Sequence, residues 1–307
     1  MRLNYRINKE TFYVEFYELI DTKLAIDIEK IKSDKKVLFV HDKNISYQLI
    51  EKIYTILKTF GFKVFIVSLE GSKINKNEKS LFQIIDVMIK HELSKNSILL
   101  SCGGGVVGDI SALCSSLYHR GLIYLHIPTT MTAIVDSCIG GKTAINYKNI
   151  INSIGTYYHP KKVFIYNEII NTLPDKEFFS GIPEILKCGL IKKNQILYLL
   201  KNQSDKVKQR KPKIINKLIV ESLKTKIFFF KDDINEKKDQ RVILNFGHTF
   251  AHAIEMACAF NQNKDYLRHG EAVGLGMLCE INYSDKSISK NYQKWLLAKY
   301  FNCTELP

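Results

Sequence analysis

Three stretches of the chain carry side chains that could do chemistry together. In LNFGHTFAHAIE (244–255), His248 and His252 are four residues apart, which puts them on one face of a helix. HGEAVGLGM (269–277) supplies His269 at the start of another helix. GIPEILKCGLI (181–191) places Glu184 and Lys187 three apart, again on one face. Two histidines and a carboxylate with an open position make a typical catalytic zinc set. A lone histidine is usually a core or surface residue. Three of the chain's eight histidines in glycine-flanked helix openings are harder to dismiss. Glu184, His248 and His269 are therefore the candidate metal ligands.

Two further stretches suit anionic groups. SILLSCGGGVVGDISALCSSL (97–117) runs an apolar strand into Gly103, Gly104 and Gly105, with a helix expected from near Asp109. Glycines at a strand end let backbone N–H groups approach a pyrophosphate, and a helix N-terminus favours its charge. A tight strand–helix turn would use the same glycines. IPTTMTAIVDSCIGGKTAIN (127–146) gathers Thr129, Thr130, Asp136, Ser137, Gly140, Gly141, Lys142 and Asn146. The P-loop spacing is absent, but glycines before a lysine still suit a phosphate, with Lys142 as a point charge.

The elements that must position these residues divide the chain in two. Residues 35–44, 63–71, 97–105 and 121–130 read as apolar strands, and 45–60 and 80–93 as amphipathic helices. That alternation predicts a doubly wound, mostly parallel, Rossmann-like α/β sheet. From about Leu173 the patterns are long and helical: 196–209, 214–230, 248–260 and 270–284. The expected division is an α/β domain over 1–165 and an all-α domain over 166–307.

Composition narrows the function classes. The net charge of +14 comes from 45 Lys+Arg against 31 Asp+Glu, but the lysines are scattered apart from a run at 206–217. No helix-turn-helix or zinc-finger pattern accompanies them, so nucleic acid is not an expected partner. A basic surface would still draw in a small anionic substrate. No run of about 20 apolar residues predicts a membrane span. The N-terminus lacks a signal-type apolar core, which makes cytoplasmic the expectation. Seven cysteines without a C-x-x-C pair fit reduced thiols, most of them small core residues.

Taken in order, GGGVVGD, PTT…VDSCIGGKTAIN, SGIPEILKCGLI, LNFGHTFAHAIE and HGEAVGLGM resemble the 3-dehydroquinate synthases. The likeness runs from about Val37 to Leu306. It implies a homodimeric carbon–oxygen lyase acting on a phosphate. Such an enzyme converts 3-deoxy-D-arabino-heptulosonate 7-phosphate to 3-dehydroquinate in the shikimate pathway, with catalytic NAD and a zinc or cobalt ion. Asp42 and Asn44 would hold the adenosine end of NAD. Gly103, Gly104, Gly105 and Asp109 would meet its pyrophosphate and ribose, with Thr129 and Thr130 nearby and Asp136 and Ser137 close to the nicotinamide. Glu184, His248 and His269 would bind the metal. Lys142, Asn152, Asn245 and His252 would surround the substrate phosphate, and His252 is a candidate proton relay. Lys187 and Arg241 would face hydroxyls and carboxylate, Lys226 the carboxylate, and Arg120 the phosphate in the neighbouring subunit's site.

The sequence departs from that pattern at several points. Ile151 stands where a lysine is expected, and Asn75, Lys76 and Lys79 replace the usual G-E-x-x-K, exchanging an acid for a base. Lys176 replaces an arginine, and Pro183 a small residue before Glu184. The family continues past this chain's Pro307 through a helical segment with a phosphate-contacting lysine, so that contact is expected to be missing. The alternatives to a working synthase are a non-catalytic binding or scaffold protein and another sugar-phosphate cyclase or metal-dependent alcohol dehydrogenase.

Overall fold

Alternation along the central strands decides the layering of the first half. Val37 and Phe39 join one hydrophobic cluster, while Leu38 and Val40 join another. Successive side chains point to opposite faces of a strand, so a strand apolar at every position must be covered on both sides. The structure is a computed structural model that describes residues 1–148, 150–260 and 267–283. The C-terminal stretch 284–307, with Cys303 and the end of the family likeness, lies outside the described residues. The chain divides into two compact units, Met1–Thr172 and Leu173–Pro307.

The first unit runs β1 (Arg2–Ile7), β2 (Glu10–Tyr17), α1 (Lys23–Glu29), β3 (Lys36–Asp42), α2 (Tyr47–Thr59), β4 (Lys63–Leu69), α3 (Glu78–Lys90), β5 (Ile98–Gly103), α4 (Gly105–Leu117), β6 (Ile123–Pro128), β7 (Lys142–Tyr147), β8 (Ile150–Tyr157), β9 (Lys162–Tyr166) and α5 (Asn167–Thr172). Seven strands form one sheet in the order β1-β2-β9-β6-β5-β3-β4. All neighbours are parallel except β1 and β2. The cluster on one face collects Leu24 and Ile28 of α1 with Ile50, Ile53 and Leu57 of α2. The other collects Leu81, Ile84 and Met88 of α3 with Val107, Ile110 and Leu113 of α4. The chain leaves β3 for β4 on one side and returns to β5 on the other. The strand order therefore reverses beside β3, where α/β folds of this kind bind ligands at the carboxyl ends of the strands.

Three features of this unit depart from the expectation. The N-terminal antiparallel pair β1–β2 was not read as strands. The separate antiparallel hairpin β7–β8 was not read either. And α4 begins at Gly105, not near Asp109, because the glycines themselves form the turn: Gly104 is its extended N-cap. Asp109 sits one turn inside the helix.

The second unit is all-α over its described residues: α6 (Asp175–Ser180), α7 (Ile182–Ile191), α8 (Ile196–Asn202), α9 (Ser204–Lys208), α10 (Pro212–Phe230), a 3-10 turn (Val242–Asn245), α11 (His248–Phe260) and α12 (His269–Tyr283). Pro183 opens α7, where its missing N–H costs nothing. The helix expected over 196–209 is two helices, broken at Gln203, whose N–H caps Leu199. Asn and Ser beside that break compete with helix by bonding to nearby backbone. Around α7 pack α8, α10 and α12, and α11 lies along α12.

Candidate active site

The second unit brings Glu184, His248 and His269 together, with one ligand atom from each lying within 4.8 Å of the others. Glu184 sits in the first turn of α7, and the two histidines open α11 and α12. Glycines make the approach possible. A Cβ on Gly270 would lie 1.6 Å from the Ser180 carbonyl, so the second residue of α12 must be glycine for the helix to reach α6. A Cβ on Gly276 would lie 2.0 Å from the Gly247 carbonyl, so α12 passes tight against the turn that starts α11.

The Glu184 carboxylate is 1% exposed. Among the described residues neither oxygen accepts a well-aligned hydrogen bond, and charge surrounds it instead. Lys187 pairs with Oε2. His248 Nε2 lies 3.6 Å and His269 Nε2 3.5 Å from Oε1. Burial opposes ionisation, but Lys187, His269 and His248 together hold the carboxyl well below the usual range. His269 Nδ1 is bonded to Glu255 at 3.1 Å, and His248 Nδ1 faces the Phe246 carbonyl at 3.4 Å. With Nδ1 engaged, Nε2 of each ring is turned toward Glu184. Burial lowers the affinity of His269 for a proton, but Glu184 and Glu255 outweigh it and raise its pKa to about 9.

These observations fit a divalent cation. Tetrahedral zinc with N and O ligands near 2.0–2.1 Å has ligand–ligand edges of roughly 3.3 Å, close to the two histidine–Glu184 separations. A ring nitrogen anchored on carboxylate or carbonyl is the usual way of orienting a ligating histidine.

Other expected residues of this unit surround two of its loops and helices. Lys187 and Lys226 are buried on α7 and α10. Arg241 is 4% exposed and donates from Nη1 to the Ile234 carbonyl at 2.7 Å. Asp233, which sequence reasoning missed, folds the loop that carries it. Its carboxylate accepts from the backbone N–H groups of Lys237, Lys238 and Gln240. Asn245, at the end of the 3-10 turn, is exposed. So is His252, one turn along α11, its ring edge-on to His248 at 5.8 Å. Glu255 was missed as well; a histidine's anchoring partner leaves no spacing rule in a sequence.

In the first unit the expected cofactor residues gather at the carboxyl ends of adjacent strands. Asp42 ends β3, Gly103 ends β5 and pairs with Pro128 at the end of β6, and Thr129 and Thr130 follow. The Asp42 carboxylate accepts from the N–H and side chain of Asn44 at 3.0 and 3.1 Å. Gly104 packs on Thr130 and Gly105 on Ser137, where added Cβ atoms would lie 3.1 and 3.3 Å away. Asp136 and Ser137 lie in a single π-helical turn, Ala133–Ser137, a form frequent at functional sites. One small recess is lined by Asp109, Ser137, Gly141 and the exposed Lys142. Asn152 projects from an irregularity in the β7–β8 pairing. Lys76, one of the departures from the family pattern, reaches both Asp109 and Asn152 with its ammonium. Arg120 is not brought to this group. It lies past the far end of α4, in an exposed turn where both His119 and Arg120 have positive φ.

Comparison with known proteins agrees over both units. The model of the 3-dehydroquinate synthase N-terminal domain matches residues 66–180, and that of the C-terminal domain matches 181–304. The 3-dehydroquinate synthase of Prochlorococcus marinus subsp. pastoris is 39% identical over 249 residues, covering 80% of this chain and 67% of that protein. Among solved structures, 2-deoxy-scyllo-inosose synthase complexed with carbaglucose-6-phosphate, NAD+ and Co2+ superposes with a TM-score of 0.86 at 24% identity, over 100% of this chain and 83% of that one. The 2-epi-5-epi-valiolone synthase of Streptomyces hygroscopicus subsp. jinggangensis, with NAD+ and Zn2+ bound, gives 0.85 at 23%, over 99% and 84%. The fold is that of the dehydroquinate synthase-like proteins.

Proposed function

The chain belongs to the 3-dehydroquinate synthase family, and from that premise we propose that it converts 3-deoxy-D-arabino-heptulosonate 7-phosphate to 3-dehydroquinate and phosphate. In this reading it is a cytoplasmic homodimer of the shikimate pathway. The observation that carries the proposal is the buried Glu184 carboxylate facing two imidazoles whose other nitrogens are already engaged. That trio is a built cation site, which a scaffold with no ligand to bind would have no reason to keep.

Glu184, His248 and His269 hold zinc or cobalt, and residues 1–165 hold NAD. When bound, the ion would supply Lewis acidity to a substrate hydroxyl and NAD would serve first as hydride acceptor and later as hydride donor; the ketone present between those two events is what would make the neighbouring C–H acidic enough for phosphate to leave. The chain's own residues bind and neutralise. Asp42 and Asn44 take the adenosine end of the cofactor. The Gly103, Gly104 and Gly105 turn, at the N-terminus of α4, takes its pyrophosphate. Asp109, Thr129 and Thr130 take the ribose side, and Asp136 and Ser137 the nicotinamide. Lys187 and Arg241 are buried, so water screens their charge little where it meets substrate hydroxyls and carboxylate. Lys226 backs the carboxylate. Lys142, Asn152, Asn245 and His252 face the phosphate, with His252 moving a proton there. Arg120, remote from its own chain's cofactor residues, serves the second copy.

The test is direct. Purified protein is incubated with the heptulosonate phosphate, NAD+ and zinc, and phosphate release is assayed. Release dependent on both additions is expected. No release with metal and NAD bound would sink the synthase reading. Release only from another phosphorylated sugar would move the chain to a different cyclase activity. Finding neither metal nor NAD bound would favour a scaffold.

A further inference from the structure

The short turn ahead of α3 is stitched to the β7–β8 hairpin. The Asn146 N–H donates to the Lys76 carbonyl at 2.8 Å, and the Asn146 side chain donates to the Lys73 carbonyl at 3.3 Å. Asn146 Oδ1 accepts the Asn152 N–H at 2.9 Å. The strand register slips here: Ile145 faces Ile154 while Tyr147 faces Ile150. Asn152 lies inside that bulge with φ of 53°, a left-handed conformation asparagine tolerates better than most residues. Bulges of this kind re-aim a side chain and are common beside active sites.

Within this frame the Lys76 ammonium donates to Asp109 Oδ2 at 2.5 Å and to Asn152 Oδ1 at 2.5 Å. Its side chain is 12% exposed, although a lysine resists confinement because it gives up rotamer entropy. An ammonium has three donors. Two are taken, and among the described residues none takes the third. Among the described residues the hairpin supplies no such cation at the bulge. Ile151 is apolar and 50% exposed, and Lys148 lays its ammonium over the Tyr147 ring at 5.5 Å.

We propose that Lys76 is a phosphate-recognition residue, its ammonium held between Asp109 and Asn152 to meet the substrate's phosphate oxygens and supply the charge that Ile151 cannot. The assignment rests on the synthase reading, in which Asn152 faces the phosphate and Asp109 the cofactor. A lysine that only neutralised Asp109 would act on NAD instead. The two roles separate by ligand.

The experiment measures the affinity of inorganic phosphate and, separately, of NAD for the full chain loaded with zinc, by titration calorimetry. Lys76→Met should weaken phosphate by about tenfold, the scale of one lost charge-assisted hydrogen bond, and leave NAD within about twofold. Lys76→Arg should keep phosphate affinity within about threefold of the parent. If Lys76→Met does not fold, Lys76→Gln keeps the reach and removes the charge, with the same expectation. The proposal is overturned if phosphate affinity does not change, if NAD weakens as much as phosphate, or if the parent binds no phosphate. Absence of phosphate release from the heptulosonate substrate, with phosphate binding still dependent on Lys76, would count against the synthase reading and not against this one.

Discussion

The two units carry their chemistry in opposite ways. In the second, three helix N-termini converge on one carboxylate that is 1% exposed, and the positions of all three depend on close backbone packing. In the first, the expected residues lie on strand ends, a π-helical turn and an exposed hairpin, and their polar groups are engaged with one another. A buried charge set costs desolvation whether or not a cation is present, so it must be rigid and compensated. Strand-end loops cost little and can yield to a large ligand. The helical unit should therefore fail abruptly when altered, and the sheet unit by degrees.

The sharpest break is His248→Ala. It removes one of the three proposed ligands, and among the described residues no other donor joins that group. Bound zinc should fall from one per chain to none, and phosphate release by roughly three orders of magnitude or more. Stoichiometric metal retained in this variant would refute the ligand set.

A pair of glycine changes tests the contrast itself. In Gly270→Ala the new Cβ would lie 1.6 Å from a backbone carbonyl, so helix α12 must move. The expected loss is about 3 kcal/mol of stability, as in severe overpacking, together with weakened metal binding. In Gly105→Ala the nearest atom is the Ser137 hydroxyl at 3.3 Å, which can rotate away. The expected loss is under about 1 kcal/mol. Urea unfolding and zinc titration of both variants measure this, and equal losses would erase the distinction between the units.

Glu255→Gln is gentler. It keeps a side chain of the same shape against His269 Nδ1 but removes the charge that favours the ligating ring. Zinc affinity should fall by about 10-fold to 100-fold, the usual cost of losing such an anchoring partner. A competition titration with a chelator reads it, and an unchanged affinity would mean that Glu255 merely fills space.

How much of this could be read beforehand follows from the same contrast. The parallel strands were legible because burial on both faces forces apolar runs, as in LLSC and LFV. The β1–β2 pair was not, because its outer strand is covered on one face only, so RLNYRI shows no such run. The β7–β8 hairpin was not, because β8 is exposed along almost its whole length and bulged, so no period survives. The metal trio was legible because ligands must be His or Glu and close helix packing must be Gly. Lys76, Asp233 and Glu255 were not, since each holds another residue in place through a contact that only the folded chain creates.

In the sheet unit a further expected effect depends on pH. His126 on β6 is 2% exposed, and its Nδ1 pairs with the Ser101 hydroxyl at 2.7 Å. Burial pushes its pKa down to about 4, with Ser101 offsetting part of the shift. The unfolded chain binds this proton below about pH 6.5, whereas the folded chain resists it until about 4. Over that window the unfolded state holds more protons, so stability rises with pH and is lost as pH falls. Between pH 7 and pH 5 the loss is about 2 kcal/mol. Hydrogen exchange at the β5 and β6 amides, corrected for intrinsic rate, should show that slope in the parent and not in His126→Asn, which keeps a partner for Ser101 but does not titrate. The same slope in both proteins would mean that the acid sensitivity of the sheet comes from other groups. A steep loss of bound zinc over the same pH range, with the strands still protected, would place the acid-labile step in the helical unit instead.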